Sequence, residues 1–453
     1  MKLARNGLIG EDELLGRIAY AIPLRNHPVL GEKTEVRERY LRILGHFMRH
    51  TLLKSGYSKA VWGMYKKVLS PGGEALPDLH GVADLKLYAR LQSVMLFDLL
   101  AISGYDCGLV ESRFLDRFQL NPELSVLMRG FFEGLSGGVQ SWEPLLNEGK
   151  LSRHADWIGL VRGNFEFSRM RPFNILVTST MSSGKSTFIN AIAGKRVANT
   201  ENLACTGRIH RIFGKPFEDG LVGRWNGGFL LDAKPELDSA IEKEDSPSFE
   251  SVYFNGGLGG ARCSIVDTPG VNSAMNSRHG ELTRREIKGL KYDAVVFLLN
   301  YEHIGTDDEK AHLAFVRFCC QKKVPVIFVV NKVDSLKSGD LTLDEKMADI
   351  SSYLGENGFG GSEVFMVSSR AAFLSRMRNS DGGSIDEDEE EELDDLTRKL
   401  RNRVDLAGLY EKNAPLYGDW LGKSAHDGFD YRCGIGYVED CLAGMMRELK
   451  GRN

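Results

Sequence analysis

Lys185 and Ser186 stand in Ser179-Thr180-Met181-Ser182-Ser183-Gly184-Lys185-Ser186-Thr187, a run of small and hydroxyl residues around one glycine and one lysine. The pattern suits a phosphate-binding loop. Backbone N–H groups of such a loop converge on an anion at a helix N-terminus, and the lysine adds charge towards the β- and γ-phosphates. Ser182, Ser183, Gly184, Lys185, Ser186 and Thr187 are the candidate phosphate contacts, with the Ser186 hydroxyl placed to coordinate Mg²⁺. Residues 173–178 form an apolar run that predicts a buried strand. Residues 187–193 predict a helix stopping at Gly194. Strand, loop and helix are the context this chemistry needs.

Three later segments extend the pattern to a particular nucleotide. In Cys263-Ser264-Ile265-Val266-Asp267-Thr268-Pro269-Gly270, a short strand delivers Asp267 at its end, where a carboxylate can hold Mg²⁺ through water. The Gly270 N–H can meet a γ-phosphate, a contact that exists only before hydrolysis. Val324 to Val330 is a buried strand running into Asn331-Lys332-Val333-Asp334, 64 positions beyond Asp267. Asp334 can accept hydrogen bonds from the guanine N1–H and 2-amino group, and adenine offers neither donor. Asn331 would bridge base and loop while the Lys332 stem packs on the base. Ser368 and Ser369, after another strand, can support the guanine carbonyl. Thr206 is the candidate switch threonine, completing the Mg²⁺ shell and helping to place water; Thr200 is its rival. Lys185, Thr206 and Gly270 are thus the candidate catalytic set, and Ser186, Thr206 and Asp267 the metal set. GTP is the expected substrate and Mg²⁺ the cofactor.

The elements that hold these residues occupy under half of the 453 positions. A net charge of −4 gives no general attraction to nucleic acid, which is not an expected partner. Seven scattered cysteines lack zinc-site spacing or a disulfide framework, and no apolar run approaches a membrane span, so the expected compartment is cytoplasm.

Four segments follow. Residues 1–168 are expected to be a helical domain, with helical apolar spacing over 36–54, 57–69, 82–102, 108–118 and 123–135. Residues 169–380 alternate strand and helix. An insertion before Asp267 suggests an extra hairpin or mobile loops, and residues 292–300 read as one more central strand. Residues 381–392 read as a solvated acidic loop and 393–453 as a C-terminal helical segment. From Arg37 to Lys67 there are eight Lys/Arg against one acid, interleaved with Tyr40, Phe47, Trp62 and Tyr65. That stretch is either a surface for anionic lipid or a nucleic-acid backbone, or two helices with aromatic core faces and basic solvent faces.

The loop from Ser182 to Ala191, Ala204-Cys205-Thr206, Asp267 to Gly270, Asn331 to Asp334 and Val367 to Ala372 resemble the bacterial dynamin-like GTPases. So does Leu299-Asn300 followed by Gly305-Thr306-Asp307-Asp308. The resemblance covers about residues 170–378. It implies an α/β P-loop GTPase domain with a central, mostly parallel sheet, and a helical bundle built from the N-terminal region and the C-terminal helices. It further implies a homodimer or higher homo-oligomer through the nucleotide face, peripheral contact with an anionic membrane and coupling of hydrolysis to membrane remodelling. Ser182 would touch the β–γ bridge or a monovalent cation. A soluble regulatory switch or a nucleotide-dependent assembly protein is the alternative. Eukaryotic dynamins place a water-orienting glutamine where Met181 stands, so the water-orienting group is left open.

Overall fold

A computed structural model describes residues 24–48, 56–70, 89–115, 122–136, 154–180, 182–198, 210–218, 222–225, 229–232, 248–268, 288, 292–320, 324–337, 341–379, 384–412 and 428–451. The chain divides into two compact units, Met1–Met170 and Arg171–Asn453.

The first unit is helical among its described residues: α1 (Thr34–Phe47), α2 (Gly56–Leu69), α3 (Ala89–Ile102), α4 (Cys107–Phe114), α5 (Pro122–Ser136) and α6 (Ala155–Arg169). The first five overlap the stretches of helical spacing in the sequence, and α6 lies outside them. Helix α3 is buried continuously from Leu91 to Ile102, as an all-round apolar helix must be. Its Asp98 is fully buried and accepts hydrogen bonds from the hydroxyls of Tyr40 and Tyr65, with His27 Nε2 at 2.9 Å. A buried carboxylate demands such partners. Tyr40, Phe47 and Tyr65 therefore belong to the core, whereas Arg39, Arg42 and Lys67 face solvent. Arg37 donates from Nε and a terminal nitrogen to the Leu69 carbonyl at 3.2 and 3.0 Å, capping the end of α2. In its described part the basic stretch is thus two helices with aromatic core faces.

The second unit is built on a nine-stranded sheet in the order β4-β3-β5-β2-β6-β1-β7-β8-β9. Its strands are β1 (Phe173–Ser179), β2 (His210–Gly214), β3 (Val222–Trp225), β4 (Phe229–Asp232), β5 (Ser248–Val252), β6 (Cys263–Asp267), β7 (Ala294–Asn300), β8 (Val326–Asn331) and β9 (Val364–Val367). The run β6-β1-β7-β8-β9 is parallel throughout. Its near-continuous apolar sequences are what strands covered on both faces require. The insertion contributes the β3–β4 hairpin, which extends the sheet beyond β5. Helices α7 (Lys185–Ala193), α8 (Asp307–Cys320) and α9 (Leu343–Leu354) lie between strands in sequence, and α10 (Ser369–Asn379) follows β9. The expected α/β fold with a mostly parallel sheet is present.

One sequence expectation needs correction. The acidic run is not a solvated loop from Asp386 onward: it opens α11 (Glu387–Asn402), with Asp386 and Glu389 forming a reciprocal capping box. Four acids in the first turn suit the positive end of the helix dipole. Glu389 meets Arg196 at 2.5 Å and Arg370 at 3.3 Å, and Glu392 meets Arg370 at 2.6 Å. Reading the charge run without its arginine partners, which lie up to 193 positions away, produced the error.

Helices α12 (Leu406–Lys412), α13 (Phe429–Arg432) and α14 (Ile435–Gly451) belong to the α/β unit. They close the edge of β9. The Tyr410 hydroxyl accepts from the Met366 N–H at 2.6 Å and donates to the Met366 carbonyl at 3.1 Å, while Ser368 N–H donates to the Cys433 carbonyl. Gly434, at φ +85°, passes so close that a Cβ would sit 2.1 Å from the Met366 oxygen.

Arg376 of α10 fastens α14 to the sheet. It donates to Glu439 at 2.7 and 2.9 Å, to Asp430 at 2.8 and 3.2 Å, and to the Ala191 carbonyl near the end of α7 at 2.8 Å. Glu439 also accepts from the Gly257 N–H. Burial pushes the Glu439 carboxyl above the ordinary range against the pull of Arg376. Burial also works against the Arg376 charge, but Glu439 and Asp430 outweigh it and raise its pKa. Removing one partner of such a pair strands the other in a dry interior. Glu439→Ala should therefore destabilise the α/β unit by roughly 3–5 kcal/mol, read by denaturant unfolding.

Candidate functional site

The phosphate-loop residues sit where β1 ends, at the point where the parallel sheet has β6 on one side and β7 on the other. Open parallel sheets form their crevice at the carboxyl ends of strands at such a switch point. The loop turns on two left-handed residues, Ser182 at φ +61° and Gly184 at φ +82°. Gly184 starts α7 without a side-chain cap, leaving the first helical N–H groups facing the crevice. A Cβ on Gly184 would lie 2.3 Å from Asn331 Nδ2, so glycine is needed for space as well as for φ. Ser183 is buried, Ser182 is exposed, and Ser186 and Thr187 are half-buried.

Asn331 closes the β8 strand and is 2% exposed. Its Nδ2 donates to the Ser183 carbonyl at 2.9 Å, and its Oδ1 accepts from the Ser369 N–H at 3.1 Å. The carboxamide thus joins the phosphate loop to the start of α10. Lys332 follows at φ +67°, and Asp334 lies half-buried in the turn Val333–Ser335. Ser368 and Ser369 are buried, and neither hydroxyl has a hydrogen-bond partner.

Lys185 pairs with Asp267 Oδ1, and both are buried. The second Asp267 oxygen is buried without a hydrogen-bond partner. Burial pushes the Asp267 carboxyl above the ordinary carboxylate range against the opposing pull of Lys185. A buried carboxylate oxygen left unpartnered is costly unless a ligand completes it. With the Ser186 hydroxyl one residue beyond Lys185, the donor set is hard oxygen and fits Mg²⁺. The buried, unpartnered hydroxyls of Ser368 and Ser369 likewise fit a polar ligand edge.

Among the sequence candidates, Ser182 to Thr187, Asp267, Asn331, Lys332, Asp334, Ser368 and Ser369 lie at the carboxyl ends of β1, β6, β8 and β9 or in the loops that follow. Thr206, its rival Thr200, Gly270 and Met181 fall outside the described residues. One contributor was not selected as a site residue. Asn300 Nδ2 donates to the Ser182 carbonyl at 3.3 Å. It is the register partner of Asn331 in the β7–β8 pair, so two asparagines at neighbouring strand ends hold consecutive loop carbonyls. The available signal was an asparagine terminating an otherwise apolar strand, the same cue that marked Asn331.

Because Asn331 satisfies a buried backbone N–H and a loop carbonyl, Asn331→Ala should lower stability by roughly 1–3 kcal/mol even without nucleotide, measured by denaturant unfolding. Gly184→Ala should abolish nucleotide binding in a fluorescent-nucleotide titration, since the loop cannot keep its φ and its contact with Asn331.

Residues 175–333 match the model of the dynamin family. A 163-residue stretch is 28% identical to the "Probable transmembrane GTPase FZO-like, chloroplastic" of Arabidopsis thaliana, covering 36% of this chain and 15% of that protein. A 176-residue stretch is 29% identical to the GTPase Era of Xanthomonas campestris pv. campestris, covering 38% of this chain and 43% of that one. The chain thus spans less than half the length of either relative. A solved chain from work on dimerization in the GTPase activity of the chloroplast translocon components atToc33 and psToc159 aligns at 14% identity over 48% of this chain and 78% of that one. Its TM-score of 0.31 is too low to bear on the argument. Loop, base-side asparagine and family match coincide on one stretch of sequence, residues 175–333, where the chain is similar to the dynamin family.

Proposed function

We propose that the chain hydrolyses GTP with Mg²⁺, that two copies pair across the nucleotide face, and that turnover is coupled to remodelling of an anionic membrane. The observation that carries the reading is the convergence of Lys185, Asp267 and Asn331, from three separate elements, around the open N-terminus of α7. On nucleotide binding Lys185 turns from Asp267 to the phosphates, where it and the loop N–H groups offset developing charge. Ser186, Asp267 and Thr206 hold Mg²⁺, which when bound neutralises charge on the β- and γ-phosphate oxygens. Thr206 and Gly270 place the attacking water. Asp334 reads the guanine N1–H and 2-amino group, Lys332 packs on the base, and Ser368 and Ser369 take the guanine carbonyl. Ser182, Ser183, Gly184 and Thr187 line the phosphates.

The match to the dynamin-family model supports pairing across the nucleotide face, and the similarity to an FZO-like transmembrane GTPase supports membrane coupling. No helix among the described residues is long and apolar enough to cross a membrane, so contact with lipid would be peripheral. One observation favours a second reading, a soluble regulatory switch. Tyr40, Phe47 and Tyr65 are buried, which leaves the Arg37–Lys67 stretch without those three aromatics as anchors and with Trp62 half-buried.

Lys185→Ala should reduce GTP turnover to background in a phosphate-release assay, and Asp334→Asn should erode the preference for GTP over ATP. Equal turnover of the two nucleotides by the unmutated protein would contradict the base assignment. Specific activity should rise with protein concentration, and again with anionic vesicles. A rate flat on both axes would support the soluble switch instead.

A further inference from the structure

A buried polar chain runs from helix α8 to the residue after Asp267. His312 is 4% exposed and tucked beneath the sheet, with its ring 5.1 Å from that of Phe297 on β7. Its Nε2 lies 2.8 Å from the hydroxyl of Thr178, the penultimate residue of β1. Thr178 Oγ1 lies 3.4 Å from Thr268 Oγ1, and the Thr268 hydroxyl is 3.1 Å from the Val177 carbonyl. Both threonines are fully buried. A hydroxyl has a single proton, and Thr268 uses its own on the Val177 carbonyl, the shorter contact. The consistent order is therefore His312 Nε2–H to Thr178, Thr178 to Thr268, and Thr268 to the backbone of β1.

Nothing in nucleotide binding as read above requires this chain. The phosphate loop is held by Asn300 and Asn331 and the metal-side carboxylate by Lys185. The threonine pair fixes something different, the point where the chain leaves β6. That point is one residue past the candidate metal ligand and two before Gly270, the candidate γ-phosphate contact. We infer that His312 is a positioning residue: through Thr178 it orients Thr268 and so sets the exit of the Asp267 strand towards the γ-phosphate. Its position on α8 ties that helix to the same point. The effect on turnover rests on the GTPase reading; the effect on the strand exit does not.

The test uses the full chain in five forms: unmutated, His312→Leu, His312→Gln, Thr178→Val and the double variant His312→Leu with Thr178→Val. Glutamine keeps an N–H donor near the place of Nε2, and valine replaces Thr178 at equal volume. Hydrogen exchange of the peptide ending at Thr268 is followed without nucleotide; kcat for GTP and affinity for GDP are measured alongside. The inference expects faster exchange in His312→Leu and Thr178→Val, near-unmutated exchange in His312→Gln, and a kcat loss of roughly 10- to 100-fold in the first two. GDP affinity should stay within about twofold, because the segment reports the γ-phosphate. The double variant should lose no more than either single one, as members of one chain do. Unchanged exchange in His312→Leu, or failure of glutamine to restore it, overturns the inference. So does GDP affinity falling in step with kcat, which marks general loss of structure. Should exchange respond as expected while the unmutated chain shows no GTP turnover, the relay stands and the GTPase reading fails.

Discussion

The carboxamide of Asn331 is the interaction on which the site's geometry turns. It is used in both directions at once, donating to the phosphate loop and accepting from the first turn of α10. A side chain with only donors or only acceptors could not make that bridge. The bridge also explains why Gly184 is glycine, since the space above it belongs to the amide nitrogen. Loop, base-side turn and α10 are therefore parts of one hydrogen-bonded assembly, with Asn300 repeating the motif one strand over.

The electrostatics follow the same logic of few, fully buried contacts. Lys185 and Asp267 pair with each other in a buried place, and the leftover carboxylate oxygen makes the pair a poised site, not a finished one. At the other end of α7 the Arg376 guanidinium is met by two carboxylates and a helix carbonyl, which together use all of its N–H donors. The contrast separates a contact that holds the fold from one that awaits a partner.

How much was legible beforehand depended on whether the cue was local. The phosphate-loop strand, the Asn331 strand and the stop of α7 at Gly194 all follow from short-range pattern, and they appear as expected. The hairpin in the insertion was anticipated only in outline, because Gly- and acid-rich sequence says little about pairing. The acidic helix was misread because its cap is local but its arginine partners are distant. The role of Tyr410 in sealing β9 was invisible for a related reason: a tyrosine that completes a sheet edge has no sequence period of its own. Asn300 carries the same local cue as Asn331, an asparagine ending an apolar strand, but lies outside the base-recognition tetrad. Roles for Thr206 and Gly270 rest on sequence alone.

Helix α7 is fixed at both ends. Gly184 is clasped under Asn331 at one terminus; at the other, Gly194 abuts the Asn255 amide and Ala191 is held by Arg376. Its nine residues span about 13 Å at 1.5 Å each. A rod clamped in this way neither tilts nor slides on its own; a displacement entering at the phosphate end leaves at the Arg376 end undiminished and unmagnified. Beyond that clamp α14 runs for seventeen residues, about 25 Å, and Glu439 in its second turn is where Arg376 holds it. The short helix thus ties the phosphate loop to the foot of the long one.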